Sequence, residues 1–371
     1  MKLQENHINQ LKELALRLID QRNAKILVSP LANESGYWFG GGNIIQEKDG
    51  RILICGRYRN AGDSTTGVGA GERGLEFAIF AGEDPNSKFS KILSFSKSDL
   101  AHSSGIVSIE GGCLLQNLED GSIELFISTE KEIAYPKQLI NFQKPGTGVW
   151  SIDLLKGDKA EDIDLSTAKT ILSTEESNSL HLKDPVAFKT QANGTNLIYC
   201  NHPFSWSSSN TGLACRKQNE SDFNIISNSI LQRGNSWDVA CSRITERLSI
   251  PKIGNFSELD DISIYFYDGA ECLRSLEQNP EAARRPRGYS CEELGGLAWG
   301  WDYEFPKIHP ISTEFPLFIS PNGTGCSRYV SSIFLQDGSL LASWQQAQKD
   351  GSQPLVFNTI NHNEVARLLG K

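Results

Sequence analysis

Three acidic residues stand at the start of apolar segments that have the pattern of buried strands. Glu110 precedes GGCLLQ, Asp184 precedes PVAFKT, and Asp238 precedes VACSRI. A carboxylate at the start of a buried strand costs free energy, so its presence there suggests that it has a function. Three carboxylates around one pocket can hydrolyse a glycosidic bond, because one protonates the leaving oxygen and a second activates water or attacks carbon. A third negative charge raises the pKa of the acid and stabilises a cationic sugar in the transition state.

The elements that position these acids follow from an internal repeat. Turn dipeptides between apolar segments recur about every seventy residues. They are Asp49-Gly50, Asp120-Gly121, Asn193-Gly194, Asp268-Gly269 and Asp337-Gly338. Such dipeptides between short apolar segments predict β-hairpins. The dipeptide at Asp268 fits less well, because it follows DISIYFYD, which has the pattern of a second strand.

Each repeat also contains two further strand-like segments, so the sequence predicts an all-β fold, a five-bladed β-propeller of four-stranded blades. We expect an N-terminal packing helix over residues 1–23, with Leu11, Leu14, Leu16 and Ile19 on its apolar side, covering one mouth of the ring. Residues 24–371 then form a single propeller domain. The segment AKILVSPL would supply the outer strand of blade five, and a short helix would end the chain. A pair of sandwiches or a six-bladed ring fits the repeat count less well.

In a propeller the innermost strands line a central channel, and their first residues meet at one mouth. The residues that begin these strands in blades one to five are Asn43, Glu110, Asp184, Asp238 and Arg328. Three consecutive blades therefore contribute a carboxylate to one pocket. The arginine of blade five either binds substrate or holds the three negative charges together.

These features resemble the five-bladed furanosidase-type glycoside hydrolases of families 43 and 32. Lys183-Asp184-Pro185 resembles the family's "RDP" motif, whose Asp stabilises the transition state. Trp237-Asp238 resembles the "W-E-C" motif that holds the acid, with Asp in place of Glu. Glu110 would take the place of the Asp that acts as base or nucleophile. That Asp normally lies on blade one, where this chain has Asn43, so the triad is shifted by one blade.

Other residues could complete a sugar-binding pocket. Arg57 and Arg59, in CGRYRN, could bind a carboxylate or sugar hydroxyls, or could simply form ion pairs with Glu76 or Asp63. Trp206, in HPFSWSSSNTG, offers an apolar face on which a sugar ring can stack.

Four more predicted substrate-binding residues join this set. His202 precedes Trp206 in the same segment and could equally be a satisfied structural histidine. Glu292 belongs to RRPRGYSCEELGG, a long blade-four loop of the polar and aromatic kind that often forms binding sites. Asn43 and Arg328 would contribute from blades one and five.

The net charge of the chain limits the kinds of molecule that it is expected to bind. The formal net charge is −9 and no basic stripe is present, which argues against nucleic acid and anionic membranes as partners. A small-molecule carbohydrate is the expected partner, and the sequence does not indicate an oligomeric state. The first residues lack the apolar core of a secretory leader, and the eight cysteines form no CxxC pair. We therefore expect a cytoplasmic protein with reduced thiols.

The sequence is compatible with several classes of function. A glycoside hydrolase is favoured, and a phosphorylase or lyase on the same scaffold is the nearest alternative. A carbohydrate-binding or interaction propeller without catalysis is supported by Asn43 in place of the expected acid. No cofactor is expected, although a structural calcium ion ringed by Glu110, Asp184 and Asp238 would also use the acids.

Overall fold

The computed structural model describes residues 3–59, 76–100, 102–190, 194–271 and 293–371. Its strands form five antiparallel sheets of consecutive strands around one channel, which confirms the predicted all-β five-bladed propeller. Blade one has a divided inner strand, because β2 (Trp38–Gly40) and β3 (Ile44–Gln46) both pair with the next strand of that sheet.

The strands of each blade run from the channel outwards. Blade one continues with β4 (Ile52–Arg59), β5 (Glu76–Gly82) and β6 (Ser90–Ser96). Blade two consists of β7 (Ile106–Gln116), β8 (Ile123–Lys131), β9 (Val149–Gly157) and β10 (Lys169–Leu172). Blade three consists of β11 (His181–Lys189), β12 (Thr195–His202), β13 (Asn210–Arg216) and β14 (Asn224–Leu231). Blade four consists of β15 (Cys241–Ser249), β16 (Ile262–Ala270), β17 (Leu294–Trp301) and β18 (His309–Pro310).

Blade five is built from both ends of the chain. Its strands are β19 (Ser327–Phe334), β20 (Leu340–Gln346), β21 (Leu355–Ile360) and, outermost, β1 (Lys25–Val28). β1 pairs antiparallel with β21, so the predicted closure of the ring by the N-terminal segment is confirmed. The predicted C-terminal helix is α2 (His362–Leu368).

The N-terminal helix α1 (Glu5–Leu18) packs against blades four and five. Leu11, Leu14 and Leu18 are buried in one apolar core with side chains from both blades and from α2. Leu16 was wrongly predicted on this side, since it is 42% exposed. The helix fills the seam between two blades, where burial of apolar area stabilises the closed ring.

Three of the predicted hairpin turns connect the first and second strands of their blades. Asp49-Gly50, Asp120-Gly121 and Asp337-Gly338 each connect a first strand to a second, as predicted, and their glycines adopt the positive φ that such turns require. Asn193 lies outside the described residues. Asp268-Gly269 lies inside β16, so it is not a hairpin turn.

Two smaller expectations concern cysteines and membrane contact. Among the described residues the cysteines are free thiols, and all but the half-buried Cys215 are buried. No helix in the described part of the chain is long and apolar enough to span a bilayer.

The inner strands of blades two, three and five are irregular close to the same mouth. Their register shifts fall between Ile109 and Gly112, between Lys183 and Val186, and between Arg328 and Ser331. Extra residues of this kind re-aim side chains and are common next to active sites. Asp184 and Tyr329, at two of these shifts, have φ values of 52° and 54°. The irregularities therefore turn Glu110, Asp184 and Tyr329 into the mouth.

A carboxyl farther along the channel gives the fold a pH dependence. Glu246 of β15 accepts hydrogen bonds from the hydroxyl of Ser331 (2.7 Å) and the amide of Ser332 (3.0 Å), yet burial raises its pKa to about 7. A carboxyl whose pKa is higher in the folded than in the unfolded chain destabilises the fold as pH rises between those values. We expect the free energy of unfolding of Glu246→Gln, relative to that of wild type, to rise by up to about 3 kcal/mol between about pH 4.5 and pH 8. Urea unfolding at both pH values measures this, and parallel pH profiles would contradict it.

Candidate functional site

One buried arginine holds three carboxylates together at the mouth of the channel. Nη1 of Arg243 lies 3.0 Å from Oδ2 of Asp184, and its Nη2 lies 2.7 Å from Oδ2 of Asp268 and 2.9 Å from Oε1 of Glu293. Arg243 stands near the start of β15, and Asp268 is its cross-strand partner on β16. Glu293 directly precedes β17. The antiparallel hairpin of blade four thus supplies two of these carboxylates.

A second ion cluster lies beside the first. Nε of Arg57 donates to Oε2 of Glu110 at 2.7 Å, and Nζ of Lys183 lies 3.9 Å from the same oxygen. A side chain at Gly111 would place its Cβ only 2.6 Å from Oδ1 of Asp184. The glycine therefore permits the close approach that brings Glu110 and Asp184 to one mouth, as the sequence predicted.

The four carboxylates differ in depth. The side chains of Glu110 and Glu293 are 17% and 15% exposed, whereas those of Asp184 and Asp268 are 5% and 1% exposed. Two carboxylates therefore reach the opening, and two lie beneath it.

Asp268 and Glu293 are neighbouring acids whose surroundings shift their pKa values in opposite directions. Burial raises the pKa of Asp268, and the negative charge of Glu293 raises it further. Although burial also raises the pKa of Glu293, the positive charges of Arg243 and Arg328 lower it below its usual range. Glu293 is thus held ionised while Asp268 more readily binds a proton. Pairs of titratable groups driven apart in this way are typical of acid–base sites.

Several buried polar atoms at the mouth have no hydrogen-bond partner within the described part of the chain. They are Oδ1 of Asp184, Nη1 of Arg57 and Nε of Arg243. A cavity of about 20 Å³ adjoins Asp184 and Tyr329, which is large enough for one water molecule. Buried polar groups normally find a partner, so these three atoms leave hydrogen-bonding capacity at the mouth that the described residues do not use.

An aromatic surface borders the carboxylates on the blade-three side. The rings of His181 and His202 both pack against Trp206, with centroids 4.4 Å apart in each pair. Nζ of Lys183 lies 4.7 Å from the ring centre of Trp150 and 5.7 Å from that of Trp206. Trp206 is only half-buried, and Lys183 connects it to Glu110.

His202 supports this surface from behind. Burial lowers its pKa well below the usual value, and both ring nitrogens have polar neighbours, the carbonyl of Ser208 and the thiol of Cys200. It is a neutral, satisfied histidine that positions Trp206, which was the structural alternative considered for it.

Two predicted site residues lie away from the ion clusters. Oδ2 of Asp238 accepts from the hydroxyl of Tyr267 at 3.2 Å, on the side of blade four that faces the loop at Ser312. The side chain of Asn43 bonds both backbone groups of Leu114, at 2.8 and 2.9 Å, and so links blade one to blade two.

The position of Asp238 leads to a discriminating prediction. Because its carboxyl contacts Tyr267 and neither ion cluster, we expect Asp238→Asn to leave any chemistry at the mouth unchanged within about threefold while its melting temperature falls by a few degrees, as for loss of one buried hydrogen bond. Steady-state kinetics and thermal unfolding test both parts. A well-folded variant with no turnover would instead favour the sequence-based triad.

The remaining predicted residues lie around Trp38. The guanidinium carbons of Arg57, Arg59 and Arg328 lie 5.2, 4.4 and 4.2 Å from the centre of its ring. Arg328 also forms an ion pair with Glu293. Glu292 lies outside the described residues, as do the three arginines of RRPRGYSCEELGG.

Sequence reasoning missed Arg243 and Asp268 and did not select Glu293. It looked for acids only at the first residues of the inner strands, whereas the end of each second strand reaches the same mouth. The signal was present, because Asp268 ends the apolar segment DISIYFYD and Arg243 lies opposite it in the hairpin.

The described residues contain no group of three or more His, Cys, Asp or Glu side chains that could hold a metal ion. The acids of the predicted calcium ring contact Arg57, Arg243 and Tyr267 instead. Cations from the protein itself therefore balance the carboxylates of the mouth.

No known sequence family matches this chain, and no curated protein does either. Solved structures do match it. The BT0996 RGII complex has a TM-score of 0.62 and 14% identity, covering 96% of this protein and 96% of BT0996. The α-L-arabinanase of Penicillium chrysogenum, complexed with arabinobiose, has a TM-score of 0.53 and 10% identity, covering 92% of this protein and 98% of the arabinanase.

The α-L-arabinofuranosidase of Lactobacillus brevis has a TM-score of 0.53 and 11% identity, covering 91% of this protein and 93% of the arabinofuranosidase. The chain has the fold of the five-bladed propeller glycoside hydrolases. The resemblance drawn from the sequence is thereby confirmed at the level of fold. At these identities the likeness extends to the architecture and not to individual site residues.

Proposed function

We propose that this protein is a glycoside hydrolase that cleaves a furanoside or a short oligosaccharide at the channel mouth. The observation that carries the proposal is the pair of partly exposed carboxylates, Glu110 and Glu293, above two buried ones, in a fold shared with known glycosidases. Two carboxylates that flank a bound sugar are the minimum for glycoside hydrolysis.

The two exposed carboxylates have different proposed roles. Glu293, held ionised by Arg243 and Arg328, is the base or nucleophile that acts at the anomeric carbon. Glu110, the other carboxylate at the opening, is the acid that protonates the leaving oxygen, which requires that a bound substrate displace Arg57 and Lys183 from it so that it can take up a proton. Asp184, buried and paired with Arg243, supplies the third negative charge, which stabilises the cationic transition state.

The proposal is tested by product release from aryl glycosides and short oligosaccharides, furanosides included. Wild type and Asp184→Asn are run side by side. We expect turnover by wild type and a loss of about 10²-fold or more in the variant, because the charge opposite the developing cation is gone. Equal turnover by a folded Asp184→Asn would contradict the assignment of this mouth.

A phosphate arm of the same experiment separates hydrolase from phosphorylase, since a phosphorylase requires added phosphate for turnover. Activity without phosphate supports hydrolysis. Binding without turnover of any member of the panel would instead support the carbohydrate-binding propeller.

A further inference from the structure

The inner strands of all five blades end around a cavity of about 330 Å³ at the end of the channel opposite the mouth. Most of the residues that line this cavity are apolar. The half-buried apolar side chains among them are Ile45 of β3, Leu115 of β7, Ala187 of β11, and Ile333 and Phe334 of β19. A cavity of this size, with an apolar wall and a few polar groups, is typical of a small-molecule site.

One carboxyl belongs to this wall. Oε2 of Glu246 accepts from the hydroxyl of Ser331 at 2.7 Å and from the amide of Ser332 at 3.0 Å. Its Oε1 accepts from the backbone amide of Arg247 at 2.8 Å. All three donors are neutral, and a carboxylate has about four positions for hydrogen-bond donors. Glu246 therefore keeps an acceptor position, and none of these bonds balances its charge.

Within the described residues, no cation of the protein forms an ion pair with Glu246. Arg247, which adjoins it on β15, pairs instead with Asp302 at 2.8 Å, and its guanidinium carbon lies 4.7 Å from the ring centre of Phe188. A buried carboxylate without a counter-ion is unfavourable, so it binds a proton or a cation. Burial accordingly raises the pKa of Glu246 to about 7, and the charge of Arg247 offsets that rise only in part.

A hydroxyl next to this carboxyl also lacks a partner. Oγ of Ser332 is buried and makes no hydrogen bond to the described part of the chain. Buried hydroxyls normally have a partner. The other uncharged polar side chains of the wall are engaged, since Asn43 bonds the backbone of β7 and Ser249 contacts a hydroxyl of β16. Glu246 and Ser332 are therefore the polar pair that a ligand in this cavity would meet.

We propose that this end of the channel binds an aliphatic amine, with the ammonium group on Glu246 and Ser332 and the chain against the apolar wall. An ammonium group has three donors and no acceptor, so it matches a carboxylate and a hydroxyl that both accept. It also supplies the positive charge that Glu246 lacks. An alcohol of the same length lacks that charge, and a carboxylate is repelled. The inference concerns a second site and does not rest on the proposed hydrolase activity.

Calorimetry of wild type with n-hexylammonium tests the inference, and 1-hexanol and hexanoate are the matched probes of the same chain length. We expect the amine to bind about tenfold or more tightly than either of them. Each methylene removed from the amine should weaken binding about fourfold, because less apolar area is buried.

The affinity for the amine should also rise about tenfold or more from pH 5 to pH 8. The amine stays charged throughout this range, whereas Glu246 must lose its proton before it can pair with the ammonium group. Two other titratable groups interact with Glu246. Arg247 keeps its charge across the range, and burial raises the pKa of the Cys113 thiol, which therefore stays neutral.

Variants of the wall locate the preference for the amine. Glu246→Gln should abolish both the preference and its pH dependence, while the weak binding of hexanol remains. Ser332→Ala should weaken binding of the amine about threefold through loss of one hydrogen bond. Glu304→Gln, at a surface carboxylate paired with Lys307, is the matched control and should leave the affinity unchanged.

A pH-dependent preference for the amine that Glu246→Gln removes supports the inference, whether or not wild type cleaves a glycoside. Equal binding of amine and hexanol overturns it. Amine binding that Glu246→Gln and Ser332→Ala both leave unchanged also overturns it, because the amine then lies at other carboxylates. Failure of the amine to bind at millimolar concentration has the same consequence.

Discussion

Glu293→Gln is expected to lower kcat about 10³-fold or more on every cleaved glycoside, because it removes the ionised carboxylate that acts at the anomeric carbon. Glu110→Gln should behave differently. Protonation of the leaving group is worth about 10²–10⁴-fold in rate, and an acidic phenol leaves without it. Glu110→Gln should therefore lose that factor on oligosaccharides and much less on activated aryl glycosides.

Steady-state rates on the two substrate classes measure this difference, and the activated substrate serves as the internal control for Glu110→Gln. Glu304→Gln, at a carboxylate paired locally with Lys307, controls for the substitution itself and should keep the wild-type rate. Equal losses on both classes for Glu110→Gln would contradict its role as the acid.

Arg243→Gln is expected to cause the largest loss of stability, about 3–5 kcal/mol, because removing one partner of a buried ion cluster leaves the other charges uncompensated. Arg243 is 4% exposed and contacts Asp184, Asp268 and Glu293 within 3.0 Å. The unpaired carboxylates can escape the cost by binding protons. The loss should therefore be smaller at about pH 5 than at about pH 8.

Urea unfolding at both pH values measures this effect. Arg17→Gln is the matched control, because Arg17 is half exposed and its ion pair with Glu364 lies on the surface, where such a pair contributes about 0–1 kcal/mol. A loss for Arg243→Gln no larger than that of the control would show that the cluster is not a stabilising centre.

Local signals in the sequence predicted most of the fold. Turn dipeptides such as Asp120-Gly121 and Asp337-Gly338 specify a positive-φ turn chemically, so they reveal the repeat and the number of blades. The outer strand β1 followed from the need to close the ring. The exposure of Leu16 was not predictable in the same way, because it depends on which side of α1 the neighbouring blades cover.

The site was only partly predictable, for a topological reason. Glu110 and Asp184 were found because they precede apolar segments of inner strands, although β7 and β11 begin a few residues earlier. Asp268 was interpreted as part of a turn, although the antiparallel pairing of β15 and β16 brings it to Arg243 at the same mouth. Asp238 was chosen by its motif, but its side chain bonds Tyr267 instead. Which way a side chain points near a register shift depends on the irregular backbone, and sequence spacing does not reveal it.

The most direct test of the proposed site is the crystal structure of Glu293→Gln soaked with the glycoside that wild type cleaves fastest. We expect the scissile bond of the sugar between Glu110 and residue 293, with the sugar ring beside Trp206. A sugar bound elsewhere on the propeller, with the mouth occupied only by solvent, would contradict the proposal that this mouth is the active site.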